Sequence, residues 1–195
     1  MLIAFEGGEA CGKSTQARLL AERLDAVLTH EPGATKAGAE LRRVALDPGF
    51  ELDPRAEALV MAADRADHVA RVIAPALAEG RHVVTDRYLY SSLAYQGYGR
   101  GLPLDEVRAL STFAGAPEAD VVVFLAVPPA TRAVRLGPDL DRIEAGGAEL
   151  HERIDDGFHR LAAADPDRWL VVPGTGAIEE VSARVWAAVS AKMQG

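Results

Sequence analysis

The chain has 195 residues, of which 49% are hydrophobic, and its formal net charge is −8. A chain of this length and apolar content can bury one core, so we expect a single globular domain over 1–195 and exclude a disordered segment. The acidic balance, without any dense cluster of lysine and arginine, excludes a nucleic-acid scaffold and predicts no nucleic-acid partner.

Compartment and redox state follow from the same composition. No apolar run approaches the ~20 residues of a membrane span, and the first residues lack the basic region of a signal peptide. We therefore expect a cytoplasmic protein with no membrane partner. A single cysteine, Cys11, excludes an internal disulfide. Cys11 is either a small filler in its loop or a thiolate that responds to oxidation.

The first predicted strand, residues 1–5, leads into a glycine-rich loop and a helix start. The loop fits the phosphate-binding pattern G-x-x-x-x-G-K-[ST]. The predicted ATP-binding residues are Gly7, Gly8, Glu9, Ala10, Cys11, Gly12, Lys13, Ser14 and Thr15. In such a loop successive backbone N–H groups point at an anion, and the helix adds its positive end. Lys13 would reach the outer phosphates, and Ser14 would offer its hydroxyl to Mg²⁺.

Strands and helices alternate along the rest of the chain. Further strands are predicted over 26–30, 81–85, 121–127 and 169–172. Helices are predicted over 38–46, 53–79 and 177–193, after Pro128 and Pro129, on either side of a glycine-rich segment at 97–101, and up to about 164. Pro75 is a possible bend in the long helix, and the polar stretch 135–147 is predicted to be a mobile lid. This alternation indicates an α/β fold with a five-stranded parallel sheet flanked by helices.

Charged residues follow the predicted strands at the end where such sheets bind ligands. Glu9, Glu31 and Asp86 all lie just past a strand. In the pair Asp86 and Arg87, the acid suits a Mg²⁺-associated water or an acceptor contact, and the arginine suits a phosphate. Arg42 follows the second strand within a dozen residues. Small kinases need such cations to clamp the acceptor and to neutralise the transferring group. The alternative for Asp86 and Arg87 is a surface ion pair, and the alternative for Arg42 is a position on a solvated helix face.

Two other classes of phosphate-loop protein are disfavoured. GTPases usually read guanine with an Asn-Lys-x-Asp element, and this chain contains no asparagine. The Leu-Ser-Gly-Gly-Gln signature of ABC-type ATPases is also absent from the sequence. A small kinase is therefore the favoured reading of the phosphate loop.

Motifs in a fixed order carry a family resemblance. They lie at 5–15, 31–35, 62–65, 86–88, 91–97 and 141–144, and His151 to Ile154 extends the match. In this order they resemble the bacterial thymidylate kinases over about residues 2–165. The resemblance implies a P-loop NTPase fold and transfer of the ATP γ-phosphate to dTMP, which gives dTDP for dTTP biosynthesis. It also implies Mg²⁺ as cofactor, ATP and dTMP as substrates, and a homodimer.

The resemblance assigns the phosphate-handling roles residue by residue. Lys13, Asp86 and Arg87 match catalytic positions. Glu9 matches the acid that meets the deoxyribose 3′-hydroxyl. Arg42 and Arg87 match the clamps on the dTMP phosphate, and Asp86 matches the Mg²⁺-linked or acceptor-orienting acid. With Ser14, Asp86 completes the implied metal site.

The same resemblance assigns the base and sugar contacts. Arg65 matches the arginine that hydrogen-bonds the thymine edge, and Gln96 matches a second base contact. Tyr95 matches the ring that crowds the sugar 2′ position, and Ser91 belongs to the same substrate-binding segment. Met61 stands where the family usually has a phenylalanine stacked on thymine, and a thioether can still cover the ring.

Several positions depart from the family pattern. His30 replaces an arginine, Ala34 a glycine and Ala126 an aspartate. Ala10 occupies the loop position where some members carry a catalytic arginine, and the lid segment 136–140 lacks the arginine pair of other members. A missing cation there would cost about 10³-fold or more in rate. We therefore expect Arg135 or Arg142 to supply the charge on lid closure. The remaining candidates are Arg132 and Arg153.

Two alternatives stay open at the level of the sequence. One is a related nucleoside or nucleotide kinase with an altered base preference. The other is a non-catalytic nucleotide-binding protein, a degenerate kinase retained for regulation or for binding a partner. The intact set of Lys13, Asp86 and Arg87 argues against degeneracy.

Overall fold

Five parallel strands form one sheet in the computed structural model, which describes residues 1–137 and 140–194. The strands are β1 (Leu2–Glu6), β2 (Val27–His30), β3 (Val83–Asp86), β4 (Val121–Ala126) and β5 (Trp169–Pro173). Their order across the sheet is β2-β3-β1-β4-β5, and every neighbouring pair is parallel. The predicted fold class is confirmed, and each strand lies close to its predicted position.

Helices cover both faces of this sheet. They are α1 (Lys13–Leu24), α2 (Lys36–Leu46), α3 (Pro54–His68), α4 (Ala74–Ala78), α5 (Leu89–Ser92), α6 (Leu104–Phe113), α7 (Pro129–Arg135), α8 (Ala148–Ala164) and α9 (Ile178–Gln194). Two π-helical segments, Val69–Ile73 and Leu93–Gly99, and a 3₁₀ turn at Glu144–Gly146 complete the described elements. No helix in the described part of the chain is long and apolar enough to span a bilayer.

The central strand β1 divides the core into two halves. Because side chains alternate along a strand, Leu2 and Ala4 face one side, and Ile3 and Phe5 face the other. The first pair packs in a cluster with α8 and the π-helical segments, and the second packs in a cluster with α1 and α9. Every residue of β1 is buried. This is the pattern of a strand whose sheet is covered on both faces.

The long helix predicted over 53–79 is interrupted. The Asp53 carboxylate caps its start by accepting a hydrogen bond from the Arg55 N–H at 2.8 Å. A π-helical turn, Val69–Ile73, then separates α3 from α4. Pro75 lies two residues beyond this turn and has no N–H to continue the α-helical ladder. Where Pro75 predicts a bend, the structure therefore has a π-helical turn between two α-helices.

The glycine-rich segment 97–101 was expected to separate two helices, and the structure differs. Gly97 and Gly99 belong to the π-helical segment Leu93–Gly99, and only the short stretch after it leads to α6. A Cβ on Gly99 would lie 2.8 Å from Ile154 of α8, and one on Gly97 would collide with Leu104. These glycines permit close packing between helices, which sequence alone does not distinguish from a turn.

The segment predicted to be a lid is partly integrated into the body. Arg135 is the last residue of α7. Beyond it, the N–H of Arg142 donates to the carbonyl of Leu46 on α2 at 2.9 Å, and Ile143 is buried in the core. Pro138 and Asp139, in the middle of the predicted lid, lie outside the described residues. The second half of the segment is therefore held against α2 by backbone and core contacts.

Candidate active site

The loop between β1 and α1 has the backbone shape of an anion cradle. Gly7, Ala10 and Gly12 all have positive φ angles, of 142°, 55° and 96°. The buried Lys13 ammonium donates to the carbonyl of Gly8 at 2.8 Å and lies 3.5 Å from Cys11 Sγ. The loop faces the N-terminus of α1, so backbone N–H groups and the positive helix end point the same way.

A wide cleft opens over this loop, and we call it the loop cleft. It is lined by Glu9, Ala10, Cys11, Gly12, Lys13, Ser14, Thr15, Leu28, Thr29, His30, Glu31, Arg42, Asp86, Arg87 and Arg135. Seven of the nine predicted ATP-binding residues are in this lining. Burial, with the nearby Arg42 charge, lowers the pKa of His30 below its usual 6.5. His30 is therefore mostly neutral at pH 7, unlike the arginine it replaces.

The two residues predicted as metal ligands stand side by side in the loop cleft. The Ser14 hydroxyl donates to Asp86 Oδ2 at 2.5 Å. The other carboxylate oxygen of Asp86, Oδ1, is buried and has no hydrogen-bond partner in the described part of the chain. A hydroxyl beside an unsatisfied carboxylate oxygen suits Mg²⁺, which takes one or two protein oxygens and completes its shell with phosphates and water. The predicted metal ligands, Ser14 and Asp86, are therefore brought together.

A second, smaller cavity lies beside the loop cleft, and we call it the inner cavity. It is lined by Glu9, Glu31, Pro32, Arg42, Leu46, Met61, Asp64, Arg65, Arg87, Tyr88, Ser91, Ser92, Tyr95, Gln96, Asp141 and Ile143. All eight predicted substrate-binding residues are in this lining. Two arginines, Arg42 and Arg87, and two acids, Glu9 and Glu31, line both spaces.

Arg87 and Glu9 form the centre of the shared wall. The Arg87 guanidinium lies 2.5 Å from Glu9 Oε1 and donates to the Gly7 carbonyl and to the Ser91 hydroxyl, each at 3.2 Å. The Tyr95 hydroxyl donates to the same Glu9 oxygen at 2.6 Å. Burial alone would raise the pKa of Glu9, but the charges of Arg87 and Lys13 and the Tyr95 hydrogen bond lower it to about 2. Glu9 is therefore a permanent anion at neutral pH.

Glu6, the last residue of β1, supports this wall from beneath. Its fully buried carboxylate accepts hydrogen bonds from the Tyr88 N–H at 3.0 Å, the Ser91 N–H at 3.1 Å and the Ser91 hydroxyl at 2.6 Å. Burial raises the pKa of Glu6 to about 7, although those hydrogen bonds and the Arg87 charge act in the opposite direction. Glu6 was not among the predicted site residues, although an acid at the end of an apolar strand is visible in the sequence.

Arg65 is a buried cation in the lining of the inner cavity. Its buried guanidinium donates to Glu31 Oε2 at 2.9 Å and to the Ser92 and Ser111 hydroxyls, both at 3.0 Å. Glu31 Oε1 lies 2.9 Å from the ring of the fully buried His68. These bonds do not use all the N–H donors of a guanidinium, so Arg65 can still donate to a ligand in the cavity. Glu31 and His68 position Arg65, and neither was in the predicted site.

Met61, Arg65 and His68 follow each other at helical spacing and share one face of α3. Met61 and Arg65 line the inner cavity, and His68 lies behind Arg65. Gln96, from the neighbouring π-helical segment, lines the cavity beside them and donates from Nε2 to Glu57 Oε1 at 2.8 Å. Glu57 was also missed, although it precedes Met61 by four residues and so shares this face.

The arginines expected near a transferring phosphoryl group occupy different places in the structure. Arg135 lines the loop cleft, and its guanidinium lies 3.4 Å from the Ala10 carbonyl. Arg142 does not line either space: its guanidinium lies 2.8 Å from the buried Glu57 and donates to the Ala45 carbonyl at 2.8 Å. Our expectation for Arg142 is therefore corrected, because moving it to the loop cleft would leave Glu57 short of a counter-charge.

The two remaining candidates have other partners. Arg153 donates to the Gly99 carbonyl at 2.9 Å, away from both spaces. Arg132 is buried, forms an ion pair with Asp155, and lies so close above Gly8 that a Cβ there would collide with it. Burial raises the pKa of Asp155 despite the charge of Arg132. Arg132 therefore packs against the phosphate loop at Gly8.

Known proteins match this architecture along almost its whole length. A family model described as thymidylate kinase matches residues 5–185, which include the lining of both spaces. A thymidylate kinase of Synechococcus sp. (strain JA-2-3B'a(2-13)) is 45% identical over 99% of this chain and 96% of its own. One of Deinococcus radiodurans is 42% identical over 97% and 96%. The crystal structure of thymidylate kinase from Ehrlichia chaffeensis matches with a TM-score of 0.82 at 30% identity, covering 97% of this chain and 98% of that one.

Proposed function

The chain belongs to the thymidylate kinase family, and from that membership we propose that it transfers the γ-phosphoryl group of ATP to dTMP, giving ADP and dTDP. The observation that carries this proposal is the shared wall of the two spaces. Arg42 and Arg87 line both the loop cleft and the inner cavity. Two anion sites that meet at cations are the arrangement that phosphoryl transfer between nucleotides requires.

The loop cleft is the proposed ATP site. Its backbone N–H groups and the start of α1 would hold the β- and γ-phosphates. Lys13, now bonded to the Gly8 carbonyl at 2.8 Å, has further N–H donors for the outer phosphate. Ser14 and Asp86 would hold Mg²⁺, which would neutralise negative charge on the phosphates. Asp86 lies at the end of β3, where an acceptor phosphate would also come near.

The inner cavity is the proposed dTMP site. Arg42 and Arg87 would clamp the acceptor phosphate and hold an oxygen of it in line with the γ-phosphorus. Ser91, fixed by Glu6, orients Arg87 by accepting its hydrogen bond at 3.2 Å. Glu9 and Tyr95, joined at 2.6 Å, would meet the deoxyribose. Arg65, Gln96 and Met61 also line this cavity and would contact the base.

Arg135 is the proposed cation for the transferring group. It is the only one of the four arginine candidates that lines the loop cleft in the described part of the chain. Its exposed side chain at the end of α7 is free to reach phosphate oxygens from above the loop. A guanidinium placed there would stabilise the charge that spreads over the equatorial oxygens in the transition state.

We also propose a homodimer that works in the cytoplasm in dTTP biosynthesis. An apolar groove between α3 and α6 supports the dimer: Leu59 is 57% exposed beside Leu102, Val107 and Leu110, and Phe113 at the end of α6 is 94% exposed. Exposed apolar side chains of this size are costly unless a partner covers them. Light scattering after gel filtration should give twice the chain mass, and Leu59→Asp with Phe113→Asp should halve it.

A coupled assay of ADP release tests the proposed reaction. With ATP and Mg²⁺, dTMP should be the preferred acceptor over dUMP, UMP and dGMP. A preference for another acceptor would instead support a kinase of altered base preference. ATP binding without turnover of any acceptor would support a non-catalytic nucleotide-binding protein.

A further inference from the structure

Glu57 on α3 is a buried carboxylate that lies behind the wall of the inner cavity. Its side chain is 1% exposed, and three side chains converge on it. Gln96 Nε2 donates to Oε1 at 2.8 Å, and the guanidinium groups of Arg100 and Arg142 lie 3.1 Å and 2.8 Å from Oε2. Burial alone would raise the pKa of Glu57, but the Gln96 bond and the two arginines lower it. Glu57 is therefore ionised at neutral pH.

An ionised carboxylate can only accept hydrogen bonds. Gln96 must therefore turn its NH₂ end toward Glu57, and its carbonyl oxygen is the end left for the inner cavity that Gln96 lines. The two ends of a glutamine amide have nearly the same shape, so a flip changes only the hydrogen-bonding character of the group. Glu57 thus decides whether the cavity presents an acceptor or a donor at this position.

We infer that Glu57 is a positioning residue that sets base specificity by holding the Gln96 carbonyl toward N3 of a pyrimidine. This inference rests on the proposed function, because it takes dTMP as the ligand. Thymine carries an N3–H donor beside its O4 acceptor, which pair with the Gln96 carbonyl and with the donors of Arg65. Cytosine has an unprotonated N3 and an amino group at these positions. Cytosine would then place an acceptor against the Gln96 carbonyl and a donor against the Arg65 guanidinium, so neither contact could form a hydrogen bond.

The same geometry gives Arg142 a place in the reaction other than the one expected from the sequence. Arg142 and Arg100 supply the positive charge that keeps a buried Glu57 ionised. Arg142 also ties the segment before the 3₁₀ turn to α2 through the Leu46 and Ala45 carbonyls. It acts on the base-reading end of the molecule, through Glu57 and Gln96, and not on the transferring phosphoryl group.

The test is the ratio of kcat/KM for dTMP to kcat/KM for dCMP in Glu57→Gln. An amide at position 57 can donate as well as accept, so Gln96 is free to flip and can offer its NH₂ end to N3 of cytosine. The dTMP/dCMP ratio should fall by about 10-fold or more. The dTMP/dUMP ratio is the internal control, because these bases differ only in a methyl group that Gln96 does not read, and it should stay unchanged. If Glu57 had a merely structural role, kcat/KM for dTMP, dCMP and dUMP would all fall by the same factor. An unchanged dTMP/dCMP ratio would therefore overturn the inference.

A second variant decides the question if Glu57→Gln does not fold. Gln96→Met leaves Glu57 with both of its arginines and removes both ends of the amide. If the carbonyl faces the base, the dTMP/dCMP ratio falls in this variant, because an acceptor that rejects cytosine is gone. If the NH₂ end faces the base, the ratio rises, and the inference is wrong. Wild-type protein that does not phosphorylate dTMP at all would instead refute the proposed function.

Discussion

The loop cleft and the inner cavity are built in different ways. In the loop cleft the binding groups come mainly from one continuous stretch, in which backbone N–H groups, Lys13 and Ser14 follow each other along the chain. In the inner cavity the binding groups are side chains from several separate elements. They are fixed by buried acids: Glu6 and Glu57 lie behind the wall, and Glu31 is part of it. The difference predicts that variants of the cleft impair transfer for every acceptor, whereas variants of the cavity change which acceptor is used.

The largest effect is expected at Lys13. Lys13→Met removes the ammonium group that would contact the outer phosphates but keeps most of the apolar side chain. We expect kcat to fall by about 10³-fold or more. Binding of dTMP alone should change little, because Lys13 does not line the inner cavity. Turnover and calorimetric titration of dTMP check the two halves of this prediction. An equal loss of dTMP affinity would erase the distinction between the two spaces.

Arg135→Ala should lower kcat by about 10²- to 10³-fold with a much smaller change in the affinity for ATP. The reason is that a cation on the transferring group acts mainly in the transition state. Arg153→Ala is the matched control, since Arg153 bonds to the Gly99 carbonyl away from both spaces. Steady-state kinetics of both variants decide the point, and equal turnover of Arg135→Ala and wild type would remove Arg135 from the site.

A pH dependence of stability is expected from Glu6. Its pKa is about 7 in the folded protein against 4.5 for an exposed glutamate. Between these values the folded chain holds a proton at Glu6 that the unfolded chain has lost, so the free energy of unfolding falls as pH rises. The loss reaches about 3 kcal/mol near pH 7 and levels off within about one pH unit above it. Glu9 has the opposite sign: its pKa of about 2 stabilises the fold above pH 4.5, and that stability is lost as pH falls toward 2.

Glu6→Gln isolates the Glu6 contribution, because other titrating groups cancel in the difference between variant and wild type. Urea unfolding gives the free energy of unfolding of both proteins at pH 4.5 and pH 7.5. Between these pH values, the free energy of unfolding of the variant should rise relative to that of wild type by about 3 kcal/mol. A difference that stays constant with pH would mean that Glu6 is ionised in the folded protein throughout.

The smallest effect is expected from Tyr95→Phe. The variant keeps the ring over Arg87 but loses the hydroxyl that donates to Glu9 at 2.6 Å. A hydrogen bond to a charged group contributes about 1.5–3 kcal/mol, so kcat/KM for dTMP should fall by about 10- to 100-fold. The KM for ATP should remain that of wild type. A shift in ATP KM of similar size would show that the inner cavity and the loop cleft are not separable.

Residue spacing alone pointed to the residues of the cleft but not to those of the cavity, and the reason is physical. A phosphate loop is local, so Gly7, Gly12, Lys13 and Ser14 are recognisable from their spacing alone. The alternation of strands and helices is also local in its signal, and it led to the correct sheet. The Arg65 and Gln96 assignments came from family resemblance, since nothing in their spacing says that they face one cavity.

What the sequence did not reveal are contacts between distant elements. Glu57 meets Arg142 across 85 positions of the chain, so no periodicity relates them. The expectation for Arg142 followed from a shortage of cations near the loop, and it ignored the need of a buried carboxylate for a counter-charge. The close packing of Gly99 on Ile154 was missed for the same reason: a glycine needed for packing and a glycine needed for a turn look alike in sequence.

The central claim, that a donor site and a thymidylate site meet at Arg42 and Arg87, is tested most directly with a bisubstrate ligand. Adenosine and thymidine joined through five phosphates should span both spaces, so that the second half of the ligand binds at a high effective concentration. Calorimetric titration should give an affinity at least ~100-fold tighter than that of ATP or dTMP alone, and Arg87→Met should abolish most of this gain. An affinity no better than that of the tighter single nucleotide would contradict the account.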